Sequence, residues 1–542
     1  MVSPKIKTKP KIFSNNQQFI SVLILIYFCL GLVGILNHAM WRDELNVWLL
    51  VRDSNSLGEL FDNLQYEGHP GLWYICLAWL NQFTDNPVIM QVFHLFLATG
   101  SISLFVKYSP FTRLQKILFV FGYLPIYEYL LISRNYAIGI LLVFAFCTLF
   151  EQRHKSYLIL AILLLLMANA NAYCLFIATA LGITLILEYL LGSRIGFSST
   201  AGKLNIFSSL AIFFLGILGS ISQMIPPTDS TLQGGLSLWR LQFDPRHLAT
   251  ALTRVWSSYL PVITPADSKY LDVIVFALIS LLLLLWISTI LRHKPVAWCF
   301  YSLATLEILV FTYTKFLGSA RHYGHLYIIL IAALWLASYE SQSRKSEALA
   351  YKNLDSMGNM PAPMLHPYSQ SSTFVRVEQA ISRWFSLVDK YKKALILLIL
   401  ATQVATGIVA FSRDLFVPYS ASRETARFIQ AQQLDKMFIV GSQDARVSPI
   451  SGYLQRQIYY PESQGLGSFV LFNNQRTEVN PAMVLEQVSQ LIPQHTEIML
   501  ILNYQLDSSR ADLSISPLAE FTNSFIHDEK YYLYIAKGLN KT

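Results

Sequence analysis

The chain is poor in charge. Only 14% of its 542 residues are Asp, Glu, Lys or Arg, where a soluble domain carries about a quarter. That deficit excludes a large water-soluble globule, because the 54% of residues that are hydrophobic gather in long uncharged runs. Cysteine is scarce too. Cys29, Cys76, Cys147, Cys174 and Cys299 all lie in or beside apolar runs, and none forms a CxxC pair. Neither a disulfide framework nor a thiolate metal site is expected. No small-residue cleavage site follows the first apolar segment, which comes after Lys5, Lys7, Lys9 and Lys11, so it reads as a retained helix and not a signal peptide. No internal repeat is evident. The net charge of +8 would suggest nucleic acid in a soluble protein. In a polytopic chain it is explained by Lys and Arg in cytoplasmic loops, and no nucleic-acid partner is expected.

What the sequence does have is apolar segments of spanning length, by the ~20-residue criterion. They fall at 19–36, 88–106, 117–133, 135–151, 157–172, 173–191, 205–225, 271–291, 296–315, 321–339 and 393–411. The run 71–83 is too short to span and reads as interfacial. If it does not cross, the basic stretches around Lys107–Lys116, Arg153–Lys155, Arg194–Lys203, Arg292–Lys294 and Arg344–Lys393 share one side with the basic N-terminus. The positive-inside rule makes that side cytoplasmic. The acidic loop 37–87, the Arg134 turn, the loop 226–270 and the Arg321 helix end then all face outward. The expected organisation is a membrane module over 1–340, a polar, Pro-containing cytoplasmic linker over 341–392, a last helix at 393–411, and a small extracytoplasmic α/β domain over 412–542. Strands are expected at Phe438–Val440, Ile458–Tyr460, Phe469–Phe472, Ile498–Leu502 and Tyr531–Ile535, with helices at Arg423–Gln432 and Pro481–Leu491. The domain carries no phosphate loop, metal cluster or catalytic signature, which leaves it a structural or acceptor-recognition role.

The outer loops hold the chemistry. Trp41-Arg42-Asp43-Glu44 places two carboxylates just after the first span, and Glu67-Gly68-His69-Pro70 places a third at the mouth of the 71–83 run. Carboxylates at a membrane boundary serve as bases or metal ligands on a substrate whose other end lies in lipid, although Asp43 and Glu44 also suit a helix start. The stretch 315–327 gathers Lys315, Arg321, His322 and His325, and Arg134-Asn135-Tyr136 adds a cation at a tight turn that Glu128 is expected to hold. Such cations bind phosphate through charge-assisted hydrogen bonds, while snorkelling alone would explain Lys315 and Arg321 but not the histidines. Residues 246–260 fit an amphipathic helix at headgroup level, with Trp256 and Tyr259 as anchors or substrate contacts. Glu307, inside a span, is expected to pair with a basic group, and His94 to be a satisfied packing residue.

These motifs resemble those of the GT-C glycosyltransferases, the polytopic class that uses polyprenyl-phosphate sugars and includes protein O-mannosyltransferases and lipid A aminoarabinose transferases. The resemblance spans roughly 19–340 and rests on 41–44, 67–70, 134–136 and 321–322. It departs at His69 and Gly71. It implies a GT-C-like helical bundle and Asp43 as catalytic base, with Glu44 or Glu67 as the alternatives. It further implies donor contacts from His69, Arg134, Tyr136, Lys315, Arg321, His322 and His325, an inverting transfer from a polyprenyl-phosphate sugar to a hydroxyl of a protein, lipid or glycan, and an inner-membrane setting among membrane lipids. A divalent cation held by Asp43 and Glu67 is left open. Two other readings stay in view: a polymerase or ligase using a diphosphate-linked oligosaccharide, and a transporter.

Overall fold

The computed structural model describes residues 15–192, 197–231, 239–354 and 372–539, with the side chains of 341–354 and 372–377 outside that description. Nine helices among the described residues are long and apolar enough to cross a membrane: Asn15–Asn37, Val88–Tyr108, Tyr136–His154, Ala172–Leu190, Lys203–Met224, Tyr270–Leu291, Pro295–Thr314, Ala320–Glu340 and Glu378–Phe416. The chain is an integral membrane protein of the expected class. As expected, 72–81 is a separate ten-residue helix.

Two of the eleven expected spans are not long helices. Residues 158–168 form an eleven-residue helix that stops at Asn169. Its amide donates to Leu165 O and Gly216 O, and Asn171 caps the next helix by accepting from Cys174 N at 2.9 Å. The run 117–133 is broken more thoroughly: an α-helix over Arg113–Val120 gives way to a single π turn over Leu124–Glu128, followed by irregular chain to Asn135. Pro125 lacks the N–H that a continuing helix would use, and its carbonyl accepts from Tyr27 Oη at 2.7 Å instead. Irregular backbone survives at membrane depth only inside protein, and every residue from 124 to 140 is buried.

The expected linker is helical at both flanks, since one helix runs to Leu354 and the next begins at Ser372. Residues 355–371 lie outside the described residues. Residues 245–259 form the expected helix, but it is packed into protein, with Tyr259 Oη 3.0 Å from Tyr301 Oη and Ser258 accepting from Tyr327 N. Glu307 corrects an expectation: among the described residues no ion pair includes it, and its Oε2 is buried without a hydrogen-bond partner. His94 is held on one side only, Nδ1 donating to Leu130 O at 3.0 Å, while among the described residues its Nε2 is buried without a hydrogen-bond partner, so it is not the fully satisfied packing residue expected.

After the last span comes a six-stranded mixed sheet in the order β3-β2-β1-β4-β6-β5. Its strands are β1 Phe438–Ser442, β2 Ile458–Tyr460, β3 Gly465–Gly467, β4 Ile498–Leu502, β5 Leu513–Phe521 and β6 Tyr531–Gly538. β1 lies between β2 and β4, parallel to both. The helices Ser422–Ala431 and Asp444–Leu454 pack on the face showing Ile439, Met499 and Ile501, and Pro481–Leu491 packs on the face showing Val440, Leu500 and Leu502. Three elements depart from expectation. Residues 469–472 form no strand, and the edge strand beside β2 is 465–467. β5, with Pro517 at a register shift, and the Pro449-containing helix 444–454 had no expected counterpart.

A buried imidazole ties the first loop to the end of the last long helix. His38 Nε2 lies 3.0 Å from Glu44 Oε2 and Nδ1 lies 2.8 Å from Asp414 Oδ2, all three side chains being inaccessible or nearly so. Burial alone would pull the His38 pKa down, but the carboxylates of Asp414 and Glu44 outweigh it and hold it up at about 10. The stabilisation from this cation is full below its ordinary value of 6.5 and is lost as pH rises through about 10. Replacing His38 by Ala leaves two carboxylates without their cation and should cost about 3–5 kcal/mol. Thermal unfolding in detergent from pH 6 to 10 checks this. The wild-type midpoint should fall across that range, and a His38→Ala midpoint equal to wild type at pH 6 would refute the assignment.

Candidate active site

The first loop is built as a helix, Arg42–Asp53, whose N-terminal turn carries both acids. Their environments differ. Glu44 is fully buried, and besides His38 it accepts from Ser133 N at 2.6 Å and Trp41 N at 3.3 Å. It fastens the broken 124–135 stretch to the loop. Asp43 is 30% exposed on its side chain and is paired through Oδ2 with Arg321 Nη2 at 2.7 Å. Its backbone carbonyl accepts from Arg134 Nη1. Arg321 also lies over the Trp41 ring, 4.9 Å from the centroid.

Gly68 sits at φ 68°, in the left-handed region glycine adopts freely, and this turn sends Glu67 and His69 back toward the loop. Glu67 accepts from Asn46 Nδ2 at 2.9 Å and Tyr74 Oη at 3.3 Å. Burial pushes its pKa up, with Arg134 opposing. Burial, followed by Arg134 and Arg321, drives the His69 pKa down to about 3, so His69 is a neutral imidazole, and its Nδ1 is buried without a partner.

The same local logic shapes the 316–325 end. Gly318, at φ 72°, turns the chain so that Ser319 caps the short helix Ala320–Tyr323. A Cβ on Gly318 would stand 2.8 Å from that of His322. Ser319 N donates to His322 Nδ1 at 2.9 Å, which leaves the proton of neutral His322 on Nε2. His325 Nδ1 donates to His322 O at 2.9 Å, so its Nε2 is the free position, and that atom too is buried without a partner.

Tyr136 is the centre on which these segments converge. Its ring lies edge-on to His69 at 6.4 Å, His322 at 5.7 Å and His325 at 5.6 Å. Its hydroxyl and Arg134 Nε are buried without hydrogen-bond partners. Tyr173 stacks on His325 at 5.1 Å behind them. The structure therefore gathers Asp43, Glu67, His69, Arg134, Tyr136, Arg321, His322 and His325, and leaves four polar atoms from three segments unsatisfied at one place among the described residues. Buried polar groups normally find partners.

Two expected members stand apart. Lys315 lies 4.7 Å over the Trp239 ring. Glu128 does not hold Arg134, since its Oε1 accepts from Tyr123 Oη. Among the described residues no group of three His, Cys, Asp or Glu side chains is placed to hold a metal ion. Asp43 and Glu67 face Arg321, and Asn46 with Tyr74, respectively, a set that does not fit a cation bridged by the two. The sequence reading missed His38, Asp414, Asn46, Tyr74 and Tyr173. Asn46 also exchanges hydrogen bonds with Val470, donating to its carbonyl and accepting from its N–H, and so ties the loop to the C-terminal domain.

Two solved structures share the layout of the whole chain. They are ArnT from Cupriavidus metallidurans bound to undecaprenyl phosphate and the same protein in the apo state; each match covers 96% of this chain and 98% of the other at 12% identity and a TM-score of 0.49. That is a likeness of layout, and it assigns no residue a role. No family model and no curated protein matches the sequence.

Because the Tyr136 hydroxyl has no hydrogen-bond partner among the described residues, its removal should leave folding intact. Tyr136→Phe is expected to change stability by less than about 0.5 kcal/mol. Thermal unfolding in detergent measures it, and a large loss would mean that the hydroxyl has a protein partner.

Proposed function

We propose that the protein is a membrane glycosyltransferase that moves a sugar from a polyprenyl-phosphate donor to an acceptor hydroxyl with inversion. The observation that carries this reading is the pairing of one accessible carboxylate, Asp43, with a cluster of cations and unpartnered polar atoms at the end of an apolar helical bundle. A lipid phosphate supplies what the cluster lacks: an anion for Arg321 and Arg134, and acceptor oxygens for His322 Nε2–H and the Tyr136 hydroxyl. Its hydrocarbon chain would lie along the spans.

In the proposed reaction the acceptor hydroxyl attacks the anomeric carbon and its proton passes to the Asp43 carboxylate. The bond from that carbon to the phosphate oxygen breaks, and the electron pair leaves with the phosphate. Arg321, Arg134 and His322 stabilise the departing charge, and no proton need be given to it. Because Arg321 contacts Asp43, a phosphate at the site would compete for the guanidinium and release the carboxylate for proton transfer. Glu44, engaged on three sides, is the anchor of the loop. Glu67, beside Arg134, is assigned to positioning or to the acceptor.

The end bearing the site is proposed to face away from the cytoplasm. Lys107, Arg113, Lys116, Arg153, Lys155, Lys203 and Arg292 lie in the turns at the other end of the bundle, which is the cytoplasmic end by the positive-inside rule. A tag after Thr542 should be outside and one at Arg153 inside. Protease treatment of spheroplasts that spared the C-terminal domain would reverse the assignment.

Asp43→Asn should bind donor normally yet lose turnover by ~10²–10⁴-fold, the scale of a general base. Arg321→Ala should instead weaken lipid-phosphate binding by about 1.5–3 kcal/mol. Release of polyprenyl phosphate with monophosphate and diphosphate donors is the measurement. Full activity in Asp43→Asn would exclude it as the base, and transfer from diphosphate donors alone would replace the proposed donor class.

A further inference from the structure

The C-terminal sheet contains a second candidate site. β1 connects to β2 through helix 444–454 on one face, and the chain returns through helix 481–491 on the other face to β4, which lies on β1's opposite side. The strand order around β1 therefore reverses between β1 and β4. In open parallel sheets, ligands bind at the carboxyl ends of the strands where this happens.

The residues at that place carry unsatisfied polar atoms. Ser442 ends β1 and is paired in register with Leu502 at the end of β4, so Gln443 and Asn503 follow side by side. Glu462 lies just past β2, is only 3% exposed, and uses Oε1 to accept from Ser442 Oγ at 3.0 Å and Gln443 N at 2.7 Å. Its Oε2, together with Gln443 Oε1, Asn503 Oδ1 and Tyr504 Oη, is buried without a hydrogen-bond partner. Gln443 also sits in the left-handed region at φ 57°, a conformation that costs a non-glycine residue energy and marks functional turns. Gln443, Asn503 and Tyr504 remain half-buried as residues, so this strand end lies close to the domain surface although the four atoms themselves are covered.

The chemistry of the set selects the ligand. Three of the four atoms are acceptors, one of them on a carboxylate, and the fourth is a hydroxyl. The nearby cation, Arg476, is engaged by Asp444 through three hydrogen bonds of 2.6–2.9 Å. An anion would meet Glu462 and Asp444 with no cation free to receive it. A metal ion lacks a third ligand of the usual kinds among the described residues. What remains is a ligand presenting several O–H or N–H donors on a compact frame. We propose that the crevice at the ends of β1 and β4 binds a neutral or amino sugar residue through Glu462, Gln443, Asn503 and Tyr504.

Its location gives the sugar a role. Asn503 Nδ2 donates to Asp528 O at 3.3 Å, and the Asp528 carboxylate accepts from Arg446 Nε at 2.7 Å and from Arg42 Nη1 at 2.8 Å. Arg42 immediately precedes Asp43. The crevice is thus joined by two residues to the carboxylate proposed as base, and its sugar is the acceptor's own. That role rests on the transfer activity proposed above, whereas the binding itself does not.

Saturation-transfer NMR on the full-length protein in nanodiscs, with glucose, glucosamine and glucose 6-phosphate as probes, tests the site. Glucose and glucosamine should bind saturably and glucose 6-phosphate should not. Asn503→Ala and Tyr504→Phe should each weaken binding by about three- to tenfold, the effect of one hydrogen bond, and Glu462→Gln should selectively weaken glucosamine. Asp43→Asn should leave all three results unchanged. Absence of saturable binding by both neutral and amino sugar, or binding indifferent to Asn503→Ala and Tyr504→Phe, would overturn the site, while transfer measured by polyprenyl-phosphate release would stand or fall separately.

Discussion

The site depends on one buried cation. The imidazolium of His38 joins the acid that anchors the first loop, Glu44, to Asp414 near the end of the last long helix. Through Glu44 the same group reaches Ser133 N, so the irregular chain before Arg134 is positioned by the loop it faces. A buried charge is costly unless paired, and here one cation is shared between two carboxylates 370 residues apart. Remove it and two negative charges remain in a dry interface, with the loop that holds Asp43 attached to one of them.

Around this clamp the C-terminal domain acts as a wall of the membrane module. Met40 N donates to Tyr453 Oη, Arg42 N donates to Glu529 Oε1, and Asn46 exchanges hydrogen bonds with Val470. Glu529 is almost wholly buried, and burial pushes its pKa up to about 8 even though Arg42 opposes the shift. Near neutral pH its carboxyl therefore holds a proton most of the time. The contact gives a physical basis for treating bundle and domain as one structural unit rather than a membrane part carrying an appendage.

Much of this was legible in the sequence, for identifiable reasons. Long apolar runs reported the helices because lipid and protein interior impose the same demand for apolar length, and the small domain was signalled where strand-like runs replaced those spans. Asp43, Glu67, His69, Arg134, Tyr136, Arg321, His322 and His325 were marked because charge and imidazole at a membrane boundary need a reason. The failures came where tertiary contacts override local pattern. Residues 117–133 look like a span, but Pro125 and the bond from Ser133 to Glu44 divert the chain. β5 reads as a loop because Pro517 and its serines weaken the strand pattern, yet pairing with β6 supplies what the segment lacks. Glu128 lies near Arg134 in sequence but Tyr123 is the partner it finds. His38 and Asp414 were invisible because each sits at a helix end beside other polar residues, where such groups are ordinary, and only the fold brings them together.

The separations along the chain carry a consequence for biosynthesis. Asp43 leaves the ribosome among the first residues, whereas Arg321 follows 278 residues later, Asp414 lies 376 residues beyond His38, and Glu529 lies 487 beyond Arg42. At about 5–20 residues per second, the loop waits roughly 25–100 s for its last partner. During that interval its carboxylates have no cation from the later helices and no domain above them. Truncated or stalled chains therefore carry the acidic loop without these later contacts, and the Asp43–Arg321 and Arg42–Glu529 contacts close only after residues 321 and 529 have been made.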